Sequence, residues 1–166
     1  NIGSAIAKGL VNAGIPANNI TLTRRKSGSL VEFQKAGFQI SNDNVLAVKK
    51  AEIILISVGP RQLMNLLDDI TPHFTKGQLL ISIVSGVEIA KIQAKVKTGI
   101  HIVRAMPNTA AVLCESMTCL SSLGKFEKGL KMAQDLFNNV GKTLVIDEEQ
   151  MASATALCAC GVAFFL

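Results

Sequence analysis

Three β-rich runs constrain this chain more than any other feature: Ile53-Ile-Leu-Ile-Ser-Val58, Leu79-Leu-Ile-Ser-Ile-Val84 and Ile100 to Ala105. Val and Ile are stiff at χ1 and pack well on a pleated surface. A run apolar on both alternating faces suits a central strand of a parallel sheet, covered above and below. The intervals between the runs leave room for one helix each, Arg61 to Ile70 and Val87 to Val96, with Pro60 fitting a first helical turn and Ser85-Gly86 opening the second helix. Strand, helix, strand in that rhythm gives βαβ crossovers and hence an α/β, doubly wound parallel sheet.

The third run ends in Met106-Pro107-Asn108-Thr109. Pro107 cannot donate to a sheet ladder, so the strand stops there, at the carboxyl end where open α/β sheets bind ligands. Asn108 can both donate and accept hydrogen bonds, and Thr109 can cap the next element. The same residues also make an ordinary turn, and both readings stand.

Upstream, Gly3 to Gly14 reads as a helix of about three turns, with Ile2, Ile6, Leu10 and Ala13 on one stripe. Gly3 is either a simple helix start or, if a strand and two glycines precede Asn1, the third glycine of a G-x-G-x-x-G turn. Asn19 to Thr23 alternates like a short strand and runs into Arg24-Arg25-Lys26. In a dinucleotide-binding unit that strand end lies beside the adenosine ribose, where arginines favour a 2′-phosphate; a solvated basic turn is the competing reading. Next come a helix over Leu30 to Ala36, a strand over Phe38 to Ile40 and a capped helix start in Ser41 to Asn44, leading into Val45 to Lys50.

Downstream, Met117 to Ser121 and Thr143 to Ile146 read as strands flanking an amphipathic helix from Phe126 to Asn139. Met151 to Leu166 carries no charge and is expected to be a helix buried against other helices, in a partner or in a continuing domain. It falls short of the roughly 20 residues a membrane span needs. The division expected is a nucleotide-binding domain over 1–146, lacking its first strand, and the start of an all-helical domain over 147–166.

The net charge of +5 suits an anionic partner, but the basic residues are scattered, and with 4% aromatics no nucleic-acid motif accompanies them. The four cysteines lack CxxC spacing and neither histidine joins them in a ligand cluster, so no metal is expected. Reduced thiols and the absence of a signal peptide predict a cytoplasmic protein whose true N-terminus precedes Asn1.

Taken in order, Asn1-Ile-Gly3, Val58-Gly-Pro60, Ser82-Ile-Val-Ser-Gly86, Val103-Arg-Ala-Met-Pro-Asn-Thr109 and Thr155-Ala-Leu-Cys-Ala-Cys-Gly161 resemble the motifs of the pyrroline-5-carboxylate reductases, along the whole chain. The resemblance implies a Rossmann domain binding NADPH, with NADH possible, and a helical domain that forms a homodimer or larger assembly. It implies that Asn1, Ile2, Gly3, Thr23, Arg24, Arg25, Asn44, Ser57, Val58, Gly59, Pro60, Val84, Ser85, Gly86, Met106 and Pro107 contact the cofactor. Asn108 and Glu148, or its neighbour Glu149, would sit at the reacting centre. The departures are Gly59 for a lysine, Ala110 for a proline, Ala152 for an aspartate, and Cys158-Ala-Cys160 with Val162 in the last motif.

The chemistry implied is hydride transfer to the C=N carbon of a small cyclic imine, 1-pyrroline-5-carboxylate, giving proline. A related NADP-dependent reductase of another imine or carbonyl, and a nucleotide-binding module without turnover, are the alternatives. Neither nucleic acid nor membrane is an expected partner.

Overall fold

The computed structural model describes residues 2–24, 30–96, 99–124 and 127–160, without the side chains of Ala159 and Cys160. Its frame is a five-stranded sheet: β3 (Ile53–Ile56), β4 (Leu79–Ser82), β5 (His101–Met106), β6 (Ser116–Ser121) and β7 (Gly141–Val145), adjacent in that order. β3, β4 and β5 run parallel, with Ile53 opposite Leu79 and Leu79 opposite His101, as the aliphatic runs predict. β1 (Thr21–Thr23) and β2 (Gln39–Ser41) pair in parallel as a separate two-stranded sheet.

Alternation along the strands builds two cores. Ile54, Ile56, Leu80 and Ile102 face α3 (Asn44–Lys50), α4 (Pro60–Ile70) and α5 (Ile89–Gln93), meeting Val48, Leu63, Leu67, Ile70, Ile89 and Ile92. Leu79, Ile81, Val103, Ala105 and Leu120 face α1 (Ile2–Asn12) and α6 (Glu127–Phe137), meeting Ile6, Leu10, Ala133 and Phe137. On α4 the buried residues Leu63, Leu67 and Ile70 recur at helical spacing, and each adds about 2 kcal/mol of burial. A third, smaller cluster packs α2 (Val31–Lys35) through Phe33 and Phe38, edge to face at 5.4 Å.

The sheet is not wholly parallel. β6 pairs antiparallel with β5, Arg104 opposite Ser121 and Met106 opposite Cys119, while β7 returns parallel to β6 through α6. The reason is reach: residues 107–115 between β5 and β6 are too few for a parallel crossover, which needs a dozen or more. They form a 3₁₀ turn, Thr109–Leu113, closed by Cys114 in the left-handed region at φ 59°.

Several element ends also shift. The helix expected over Val87 to Val96 is only α5, because Ser85-Gly86 is a tight turn with Gly86 at φ 74°. Asp43, not Asn44, caps α3 by accepting from Leu46 N at 3.0 Å, and Asn44 is its first helical residue. Pro60 is the first residue of α4, as expected. Gly9 lets α1 lie against the 3₁₀ turn, since a methyl there would collide with the Ala111 carbonyl.

Candidate functional site

The carboxyl ends of β3, β4 and β5 open into three loops on one edge of the sheet: Ser57–Gly59, Ile83–Glu88 and Pro107–Asn108. Two of them offer backbone rather than side chains. Gly59 is exposed, caps α4 and brings no side chain to that helix N-terminus; Ser85 and Gly86 are exposed at the tip of their turn. Ser57 and Val58 are half-buried, and Val58 packs on the core beneath. The side chains of Val84 and Met106 are 2% and 3% exposed and belong to the core. Pro107 is buried.

Ile2 and Gly3 begin α1, where Ile2 packs on the core shared by α1 and α6. Thr23 ends β1, exposed, and Arg24 N donates to Ser41 O at 3.3 Å, tying that strand end to β2. Asn44 is half-buried at the start of α3. Asn1, Arg25 and Lys26 lie outside the described residues.

Asn108 is engaged through both ends of its amide. Its Oδ1 accepts from Ala110 N at 3.1 Å, so that Asn108 rather than Thr109 caps the 3₁₀ turn, and its Nδ2 donates to Cys158 O at 3.3 Å. Its backbone N–H donates to Ser116 Oγ at 3.2 Å. The turn reading of this residue therefore has direct geometric support, and among the described residues one amide N–H is left over.

Behind the loops lies a buried ionic contact that composition and periodicity do not announce. Arg104 Nη1 donates to Glu148 Oε1 at 2.9 Å, with side chains only 7% and 17% exposed. The same Oε1 accepts from Ile89 N, the start of α5, at 3.1 Å. Among the described residues, Arg104 Nε, Glu148 Oε2 and Ser121 Oγ are buried without a partner. Half of a two-bond arginine–carboxylate fork is thus used, and each orphaned atom costs about 1 to 3 kcal/mol. One signal for Arg104 was in the sequence: a guanidinium inside a strand buried on both faces requires a buried acceptor.

The C-terminal segment reaches the same edge. Asp147 and Gln150 form a capping box around the 3₁₀ turn Glu148–Gln150, after which α7 (Met151–Ala154) continues into a π-helical stretch, Thr155–Cys160. Met151 is fully buried with Met106 and Cys119. Cys158 Sγ lies 4.0 Å from Cys119 Sγ; burial, and then the neighbouring sulfur, push the Cys119 thiol up to about 11. Leu157 is 76% exposed, so one side of the segment is uncovered here, and 161–166 lie outside the described residues. Among the described residues no helix is long and apolar enough to cross a membrane, and no cluster of three His, Cys, Asp or Glu could hold a metal ion.

Comparison with known proteins matches residues 1–86 to the family described as "NADP oxidoreductase coenzyme F420-dependent". The chain belongs to that family. It is 40% identical to pyrroline-5-carboxylate reductase 1 of Dictyostelium discoideum over 99% of this chain and 32% of that protein. It is 38% identical to pyrroline-5-carboxylate reductase 2 of the same organism over 99% and 61%. Among solved structures, the Plasmodium falciparum pyrroline carboxylate reductase with NADP bound superposes with a TM-score of 0.87 at 29% identity, covering 98% of this chain and 60% of that one. A Coxiella burnetii pyrroline-5-carboxylate reductase gives 0.89 at 26%, covering 99% and 62%. The resemblance drawn from the motifs is borne out, and this chain spans from about a third to three fifths of these relatives.

Proposed function

We propose that this chain is the nucleotide-binding part of an NADPH-dependent reductase that transfers hydride to the ring C=N of 1-pyrroline-5-carboxylate, yielding proline. The observation that carries the reading is the convergence of Ser57–Gly59, Ser85–Gly86 and Pro107–Asn108 at the carboxyl ends of three adjacent parallel strands. It is supported by the similarity to reductases of that name, one of them solved with NADP.

The residues present fit a dinucleotide. Gly59 and Gly86 leave backbone exposed where a side chain would crowd an approaching phosphate, and the start of α4 presents N–H groups there. Bound, the nicotinamide supplies the hydride. Thr23, Arg24, Arg25 and Asn44 would hold the adenosine end; Ser57 to Pro60 and Val84 to Gly86 the middle; and Met106 and Pro107 the reacting ring. Asn108 caps the 3₁₀ turn that follows those last two residues and offers one N–H to the site. In this reading 1–146 form the nucleotide-binding domain, and 147–166 begin a helical dimerisation domain in a cytoplasmic enzyme.

The test is turnover of 1-pyrroline-5-carboxylate by the full-length protein with NADPH and with NADH. Arg24 and Arg25 predict a kcat/KM preference for NADPH of about tenfold to a hundredfold, from one charge-assisted contact to the 2′-phosphate, lost in the Arg24→Ala/Arg25→Ala variant. Absence of imine reduction with either cofactor would refute the proposal.

A further inference from the structure

Glu148 accepts two donors from distant parts of the chain, and neither points outward. Arg104 belongs to the central strand β5, and Ile89 N opens α5, directly after the Ile83–Glu88 loop that carries the Ser85–Gly86 turn. Glu88, the local acid at that helix start, makes no side-chain cap, so the acceptor comes from a residue 59 positions away. Glu148 is itself held in place: the Asp147–Gln150 capping box fixes its backbone, and the fully buried Met151 anchors the next turn.

An acid that delivers a proton to substrate needs an open oxygen. Here Oε1 is taken twice and Oε2 is buried. The arrangement instead ties β5, the Ile83–Glu88 loop and the entry to the C-terminal helix at a single atom.

We propose that Glu148 is a positioning residue, not a catalytic one: with Arg104 it holds the Ser85–Gly86 turn in the conformation that receives NADPH, and so couples docking of the C-terminal helix to cofactor affinity. The inference rests on the cofactor reading above. Arg104 sets the carboxylate's direction and Glu148 sets the start of α5. Ser121 stands opposite Arg104 in the ladder, and its buried Oγ has no partner among the described residues.

In the full-length protein, Glu148→Ala removes the acceptor and should raise the NADPH dissociation constant about tenfold, read by nicotinamide fluorescence, as expected for one lost charge-assisted hydrogen bond. KM for the imine should stay within about twofold. Glu148→Gln keeps an oxygen for Ile89 N and should restore most of the affinity. Because Glu148→Ala strands a buried guanidinium and can unfold the protein, the Arg104→Met/Glu148→Leu variant removes both charges. It should fold and still bind NADPH about tenfold more weakly. NADPH affinity unchanged in the folded double variant would overturn the proposal. So would a Glu148→Gln variant that loses kcat as heavily as Glu148→Ala while binding NADPH normally. Hydrogen exchange at the Ile89 amide separates the two layers. Exchange as slow in the double variant as in the unmodified protein refutes the positioning role; faster exchange there, with no NADPH binding by the unmodified protein, refutes the cofactor reading instead.

Discussion

The two ends of the sheet are built on opposite principles. At the amino ends of β3 and β4, Lys49, Lys50, Glu52, Lys76, Gln78 and Lys128 line an open cavity of about 440 Å³, yet its buried polar group is fully used. Gln78 donates to Val48 O at 2.8 Å and Ala51 O at 2.6 Å and accepts from Thr75 N at 2.8 Å, stapling two loops together. At the carboxyl ends, among the described residues, Arg104 Nε, Glu148 Oε2 and Ser121 Oγ are buried with no partner. Complete satisfaction is what a structural joint needs. Buried polar atoms left unsatisfied lower stability, and they persist where something besides stability holds them in place. The contrast teaches that a sizeable cavity can line a structural joint, and that the incomplete polar accounting lies at the end where the cofactor is proposed to bind.

The largest effect expected from this contrast is at the carboxyl end. Arg104→Met alone leaves the Glu148 carboxylate buried without its cation and should cost about 3 to 5 kcal/mol in urea unfolding, whereas the double variant with Glu148→Leu should recover most of it. At the amino end, Gln78→Leu strands Ala51 O and Thr75 N, while Val48 O keeps Ala51 N, and should cost about 3 kcal/mol while NADPH affinity stays unchanged. A loss of affinity there would break the distinction between the two ends.

A smaller effect appears with pH. The Cys119 thiol is raised from 9.0 to about 11, so between those values the folded protein holds a proton that the unfolded chain releases. Stability should therefore be insensitive to this group below pH 9 and fall as pH rises toward 11, and Cys119→Ala should remove that part of the slope. The smallest effects carry the sharpest contrast in sign. Ser121→Ala deletes an unsatisfied hydroxyl and should stabilise by up to about 1 kcal/mol, while Lys49→Ala, Lys76→Ala and Lys128→Ala should each stay within about 0.5 kcal/mol.

Much of this was legible in the sequence because it depends on local periodicity and punctuation. The runs at Ile53 and Leu79 read as strands covered on both faces, which holds for β4, whereas β3 ends the five-stranded sheet with Ile53 and Leu55 half-buried; Pro60 and Pro107 marked a helix start and a strand end. The direction of β6 was legible in principle from the short 107–115 connection, but alternation alone does not carry direction. What periodicity cannot show is partnership over distance. Gln78 looks like a polar residue before a strand, Gly9 like a small helical residue, and Glu148 like a loop acid. Their roles come from Val48 and Ala51, from the Ala111 carbonyl, and from Arg104 and Ile89. Of the residues read from the family resemblance, Ser57 to Gly59, Val84 to Gly86, Pro107 and Asn108 fall on the three loops, while the Arg104–Glu148–Ile89 connection behind them needed the fold.

The most direct test of the account is amide hydrogen exchange on the full-length protein with and without NADPH. Protection is predicted in Ser57 to Met64 and in Ile83 to Ile89, with residues Lys49 to Glu52 and Thr75 to Gln78 unchanged. Protection confined to the lysine-lined amino end, with the Ser85–Gly86 turn exchanging as before, would contradict it.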